Sequence, residues 1–416
     1  MNRSIVVSIV VAVVCALGLW ESARIGFART YAVKALASNG LEAAERSVQL
    51  LPGDAEVHAA RGVVLQRTED YPNATRELER AIQLRPDDYF LWLLLGVTRD
   101  LNDDQQGGLG AMRESVRRAP FYAKPRWQIG NLLLRMGQID EAFQQMRFAE
   151  ERDAGLLPNV IDLAWGTTRN DPDRTVDLIQ PRRDESRMAL AIFFAAHKEG
   201  AAALEQFRNV KSPGAADLDR LTQRLIESRF FAEAYEIWTR AHCPSCQPAS
   251  FINGSFEADL EIGNQMFGWQ VPANVNGVTL SVDTAEHESG TRSLRIDFRG
   301  NPDPQTILVS QIIVVEPGRR YRVSLRGMTR SFASVAGPTL RVVDASDDRI
   351  PPTARLTVQS DASGWQPYST YFTSGPGTRA VRLVLNREDC PNNYCPAFGT
   401  LWLDSFVLEE AREGNQ

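Results

Sequence analysis

Residues 252–257, INGSFE, mark the point where this chain changes its period. Before them, about two hundred residues carry apolar side chains at i, i+3 and i+4, the spacing of helices with one buried face. After them, about 160 residues alternate apolar and polar, the pattern of strands with one buried face. SLRIDFRG sets Leu294, Ile296 and Phe298 on one side, YRVSLRG sets Tyr321, Val323 and Leu325, and AVRLVLNR sets Val381, Leu383 and Leu385. Eight to ten such strands, separated by Gly, Pro, Asn and Asp, predict an all-β jelly-roll sandwich.

The helical part repeats. Pro52, Pro86 and Pro120 recur every 34 residues, and so do Gly62, Gly96 and Gly130. Two residue types on one period point to a repeated helix–turn–helix unit. The glycines fall in first helices, where a bare Cα lets the paired helix approach. Ala74, Ala81, Ala142 and Ala149 offer the facing small surface. Each proline follows the last apolar turn, as in ERAIQLRPDD, and stops the helix because it has no N–H to give. Asp54 and Asp88 stand where the next helix begins and can cap it. Trp92, Trp127 and Leu93 to Leu95 read as packing between repeats.

These units resemble the tetratricopeptide repeat family, cleanly over about residues 55–154 and more loosely before. The resemblance implies a solenoid with a concave groove that holds a protein or peptide partner. Groove positions would include Gln66, Arg67, Val97, Asp100, Lys124, Trp127, Asn131 and Arg135. Residues 157–242 read as degenerate repeats that extend or cap the array.

The β part carries NGSFE, then GW at 268–269, SGTRSLRI, VSQIIVVEPGRRYRVSL, GWQPYSTYF and GTLWLDSFVL, in that order. It resembles the carbohydrate-binding modules of the family 4/9 type, within the galactose-binding-like jelly rolls, over residues 251–411. That resemblance implies an oligo- or polysaccharide ligand, with Trp269, Gln270, Gln311, Tyr368, Tyr371 and Asn386 as candidate contacts. Tyr368 and Tyr371 are three apart in a strand, so they point to opposite faces unless a bulge intervenes. In this family the first and last strands lie together, and an acid from each often helps to hold a structural calcium. The matching residues are Glu257 and Asp404, with backbone carbonyls near His287 to Ser289 completing the set. No other cofactor is expected.

Residues 1–24 stand apart. After Arg3, residues 5–20 (IVVSIVVAVVCALGLW) carry no charge. Such a helix spans about 24 Å, against about 30 Å for a bilayer core. It reads as an uncleaved signal anchor, or as a signal peptide cut near Ala16–Gly18. The expected location is a bacterial inner membrane, single pass with the bulk periplasmic, or secreted to the periplasm after cleavage. Four cysteines then read as disulfides: Cys243 and Cys246 in the 243–250 linker, and Cys390 and Cys395 in a late loop. A local Cys390–Cys395 staple is favoured, and a cross-link from the linker to the late loop stays open. Net charge of −6, with no concentrated basic face, excludes a nucleic-acid partner. No spaced histidine pair, GxSxG or phosphate-cradling glycine loop occurs, so no enzyme is expected. The whole reads as an adaptor between a protein and a surface polysaccharide, or, alternatively, as a protein scaffold whose jelly roll has lost sugar binding.

Overall fold

The computed structural model describes residues 3–260, 266–347, 353–359, 364–387 and 394–411, with residues 3–6 described by backbone alone. The chain forms two compact units, Met1–Pro181 and Arg182–Gln416.

The first unit is a series of helix hairpins. They are α1 (Arg3–Ser38) with α2 (Leu41–Leu50), α3 (Ala55–Arg67) with α4 (Tyr71–Leu84), and α5 (Tyr89–Leu101) with α6 (Gln105–Arg118). After these come α7 (Ala123–Arg135) with α8 (Ile139–Glu150) and α9 (Leu157–Thr167) with α10 (Pro172–Ile179). The periodic glycines stand at the closest approaches. A Cβ on Gly96 would lie 2.5 Å from Met112 Cγ and 3.0 Å from the Gly108 carbonyl; one on Gly130 would lie 2.7 Å from Met146 Cγ. Ala74, Ala81, Ala142 and Ala149 are fully buried opposite them. The Asp54 and Asp88 side chains accept from the Glu56 and Phe90 N–H groups, capping α3 and α5.

The 36-residue helix α1 serves two roles along one axis. From Val7 to Trp20 its large apolar side chains are all more than half exposed. By length and composition this helix could cross a membrane. Further on, Ala28, Ala32 and Ala35 are buried, packed with Val57, Ala60 and Val64 of α3. The apolar segment therefore runs without a break into the first repeat.

The second unit begins with α11 (Asp184–Ala196) against α12 (Gly200–Arg208) and α13 (Ala215–Glu227) against α14 (Phe231–His242). The stretch expected as degenerate repeats thus divides, with α9 and α10 in the first unit and α11 to α14 in the second.

The sandwich follows. Its strands are β1 (Val278–Asp283), β2 (Ser293–Gly300), β3 (Val309–Val314), β4 (Arg320–Ser334), β5 (Pro338–Asp344), β6 (Ala354–Thr357), β7 (Gln366–Thr373), β8 (Ala380–Arg387) and β9 (Ala397–Glu410). They form a five-stranded sheet, β1-β2-β9-β4-β7, and a four-stranded sheet, β3-β8-β5-β6, with every pair antiparallel. Leu294, Ile296, Phe298, Val323, Leu325, Leu340, Val342, Leu383 and Leu385 fill the core between them.

Helix α14 packs on this sandwich. Ile312, Val314 and Ala380 alternate with core residues, so they point outward from the small sheet, yet all three are buried. Helix α14 lies against β3 there. Phe267 meets Tyr235 edge-on at 5.1 Å and Trp238 at 5.7 Å. The Tyr235 hydroxyl donates to the Gln247 carbonyl at 2.8 Å, and the Ala249 N–H donates to Val314 at 2.8 Å. The linker between them carries a Cys243–Cys246 disulfide, so no cross-link runs from it to the late loop. Cys395 is also disulfide-bonded; Cys390 lies outside the described residues.

Candidate binding surfaces

The first helices of the repeats line a groove of about 410 Å³. Arg29, Val33 and Leu36 of α1, Ala59 and Val63 of α3, and Phe90 and Leu94 of α5 form its walls. Its floor is apolar and its rim is charged. Arg29 meets Asp54 at 3.0 Å and Glu56 at 3.1 Å, and Arg85 meets Glu56 at 3.4 Å. Burial works to raise the Asp54 carboxyl, but the Arg29 and Glu56 N–H bonds outweigh it and hold it low.

The groove residues named from sequence lie elsewhere on these helices and mostly bridge one repeat to the next. Gln66 donates to the Thr98 hydroxyl at 2.8 Å. Arg67 donates to the Leu36 carbonyl and the Asn39 side chain, both at 2.7 Å. Arg135 pairs with Asp100. Val97 and Trp127 are half-buried. Lys124 and Asn131 fall one period after Phe90 and Val97, and the Lys124 ammonium lies 5.6 Å from the Phe90 ring centre. The deeper groove was missed because α1 read as a membrane segment. The signal lay in Ala28, Ala32 and Ala35, whose small side chains continue the repeat.

The outer face of the five-stranded sheet is closed by ion pairs. Trp402 of β9 points outward but is 2% exposed. Its ring centre lies 5.5 Å from the Arg295 guanidinium and 5.0 Å from that of Arg330, and its Nε1 donates to Asp283 at 2.8 Å. Arg295 pairs with Asp297 at 3.0 Å, Arg330 with Glu286 at 2.6 Å and Arg326 with Glu288 at 3.5 Å. Burial tends to raise the Asp283 and Asp297 carboxyls, but bonds from Trp402 and Thr400 and the Arg295 charge bring both below the usual range. At the β7 edge Tyr371 stays exposed, with the Arg320 guanidinium 5.0 Å from its ring centre.

The outer face of the small sheet is different. On its outer side Val384 and Asn386 of β8 and Thr339 of β5 are buried, Arg341 of β5 is half-buried, and only Arg355 and Thr357 of β6 are exposed. Arg382 stands beside them on β8. On this face Arg341, Arg355 and Arg382 form no ion pair among the described residues.

The sugar-contact candidates scatter over both sheets and the core. Trp269 is 3% exposed, stacks on Phe256 at 5.1 Å, and donates to the Asn253 carbonyl at 2.9 Å, so its ring offers no stacking surface. Gln311 points inward and holds both the N–H and the carbonyl of Ile252. Tyr368 faces the core and its hydroxyl accepts from the Gln359 N–H, while Tyr371 faces out, as their spacing required. Gln270 and Asn386 share the outer side of the small sheet. Gln270 pairs through its backbone with Ser310 of β3 and accepts from the Ser310 hydroxyl at 3.3 Å. Asn386 is the register partner of Thr339.

Glu257 and Asp404 converge on one loop. Glu257 accepts from the Thr291 and Arg292 N–H groups and the Thr291 hydroxyl, at 2.8 to 3.1 Å. Those bonds, the Thr291 N–H first, hold its carboxyl below the usual range. Asp404 accepts from the Glu288 and Ser289 N–H groups, both at 2.9 Å. A calcium ion takes six to eight oxygens. Here N–H donors face both carboxylates where carbonyls would be needed, so this arrangement does not fit a cation.

The family model described as a carbohydrate binding domain matches residues 248–392. Over 106 residues, 26% of this chain, the sequence is 24% identical to a peroxisomal targeting signal receptor of Candida albicans; it spans 18% of that receptor's length. Among solved structures, the tetratricopeptide protein YrrB, described as having an unusual peptide-binding site, aligns over 51% of this chain and 90% of its own, at 17% identity and a TM-score of 0.29. A xylan-binding domain from Paenibacillus barcinonensis aligns over 41% of this chain and 100% of its own, at 18% identity and a TM-score of 0.28. Scores this low carry no argument about function. The chain joins an array of helix hairpins to a β-sandwich, and residues 248–392 match the carbohydrate binding domain model.

Proposed function

We propose that this chain is a non-catalytic adaptor of the bacterial envelope. The sandwich holds a glycan, the groove of α1, α3 and α5 holds an apolar segment of a protein partner, and α1 anchors the chain in the inner membrane with its bulk in the periplasm. The setting is assembly or export of a surface polysaccharide. The observation that carries the glycan half is the carbohydrate-binding family match over residues 248–392, on a sandwich whose small sheet exposes Arg355 and Thr357 of β6. The groove's apolar floor and charged rim support the protein half.

A second reading, a protein scaffold with a jelly roll that binds no sugar, is favoured by one feature. Trp269 and Trp402 are buried, so neither gives the sandwich a flat aromatic face. Affinity gels cast with a panel of polysaccharides separate the two readings, run with the full chain, with and without calcium. Retardation on a glycan supports the adaptor; uniform mobility on every gel leaves the scaffold.

A further inference from the structure

We infer that the glycan held by the small sheet is anionic, bound through Arg341, Arg382 and Arg355. The inference rests on the glycan-binding reading above and names the ligand's chemical class.

Three observations carry it. First, the arginines are neighbours on one face. Arg341 of β5 is the register partner of Arg355 on β6, and Arg382 pairs with Val343, one outward step along β5. Directly opposed side chains have Cβ atoms about 5 Å apart, where like charges repel. Second, none of the three has an ion-pair partner among the described residues. The opposite sheet sets a carboxylate against Arg295, Arg326 and Arg330. Third, buried polar atoms without partners gather here. Arg341 Nε, Arg382 Nε and the Asn386 side-chain oxygen are three of seven such atoms among the described residues. Asn386 is 2% exposed. A buried group left unbonded costs free energy that a bound ligand can return.

Guanidinium groups bind carboxylate or sulfate by paired, charge-assisted hydrogen bonds. Strands lie about 4.8 Å apart, near the length of one sugar residue. A chain running across β6 and β5 would therefore meet one outward side chain per residue: Arg355, then Arg341.

The test uses the full chain in EDTA against acidic polymers and their neutral counterparts. The pairs are polygalacturonate and its methyl ester, alginate and its propylene glycol ester, and dextran sulfate and dextran. The expected result is that one acidic polymer binds at least about tenfold more tightly than its counterpart, as loss of charge-assisted bonds implies. The Arg341→Gln/Arg382→Gln variant then loses that preference while its unfolding midpoint holds or rises. Dextran sulfate as the best ligand assigns sulfate; either uronate assigns carboxylate. Neutral polymers bound equally well would overturn the inference and leave glycan binding standing. Poly-L-glutamate bound as tightly would overturn it in favour of an acidic peptide. No binding to any polymer would remove the glycan reading as well.

Discussion

Arg341 and Arg355 stand directly across from each other on β5 and β6, both on the outer side of the small sheet. Cross-strand like charges cost roughly 0.2–1 kcal/mol. Replacing Arg355 with Gln should therefore raise the stability of the unliganded chain by up to about that amount, read from urea unfolding. A clear loss of stability would mean the two side chains support the fold.

His58 sets a pH window for the repeats. Its Nδ1 lies 2.7 Å from Glu77 and its Nε2 lies 3.0 Å from the Pro52 carbonyl. Both partners are acceptors, so both ring nitrogens must carry protons. The Glu77 bond raises the imidazole's pKa against the effect of burial, and the His58 bond lowers that of Glu77. The histidine contribution is complete below about pH 6.5 and is lost as pH rises through the raised value. The glutamate contribution is complete above about pH 4.3 and is lost as pH falls through the lowered one. Unfolding midpoints from pH 4 to 9 should show the alkaline loss, and His58→Gln should remove that slope. An unchanged slope would exclude this pair as its source.

Gly96 and Gly110 should respond oppositely to alanine. At Gly96 the new Cβ meets the Gly108 carbonyl at 3.0 Å, backbone that cannot swing aside, and a cost of about 1–3 kcal/mol is expected. At Gly110, inside α6, nothing lies within 4 Å, and alanine should stabilise by up to about 1 kcal/mol through helix propensity. Thermal unfolding of the two variants checks the signs.

Asp404→Ala leaves two N–H groups of the 288–289 loop without their acceptor and should cost roughly 1–3 kcal/mol. Because those donors occupy the carboxylate, calcium and EDTA should leave the wild-type midpoint unchanged. A midpoint that rises with calcium, as binding to the folded state requires, would show that the loop rearranges around the ion.

The repeats were legible because close helix approach and helix termination each demand a residue type, and Gly62, Gly96, Gly130 and the three prolines record it. The strands were legible from alternation, and the spacing of Tyr368 and Tyr371 fixed their opposite faces. Phase failed where both sides of a strand are buried: VSQIIV has no polar side, and Gln311 turned inward to hold Ile252. Trp269 misled because an aromatic after a glycine suits a cleft and a core equally well. Arg341 and Arg382 passed unnoticed because arginine in a strand usually means a solvated face; only the missing partners distinguish them.

The most direct measurement compares glycan retention by the full chain with that of Arg355→Gln and Tyr371→Ala, each checked for an unchanged far-UV spectrum. If the small sheet holds the sugar, Arg355→Gln loses retention and Tyr371→Ala keeps it. Loss in Tyr371→Ala with full retention in Arg355→Gln would contradict that and put the ligand on the five-stranded sheet.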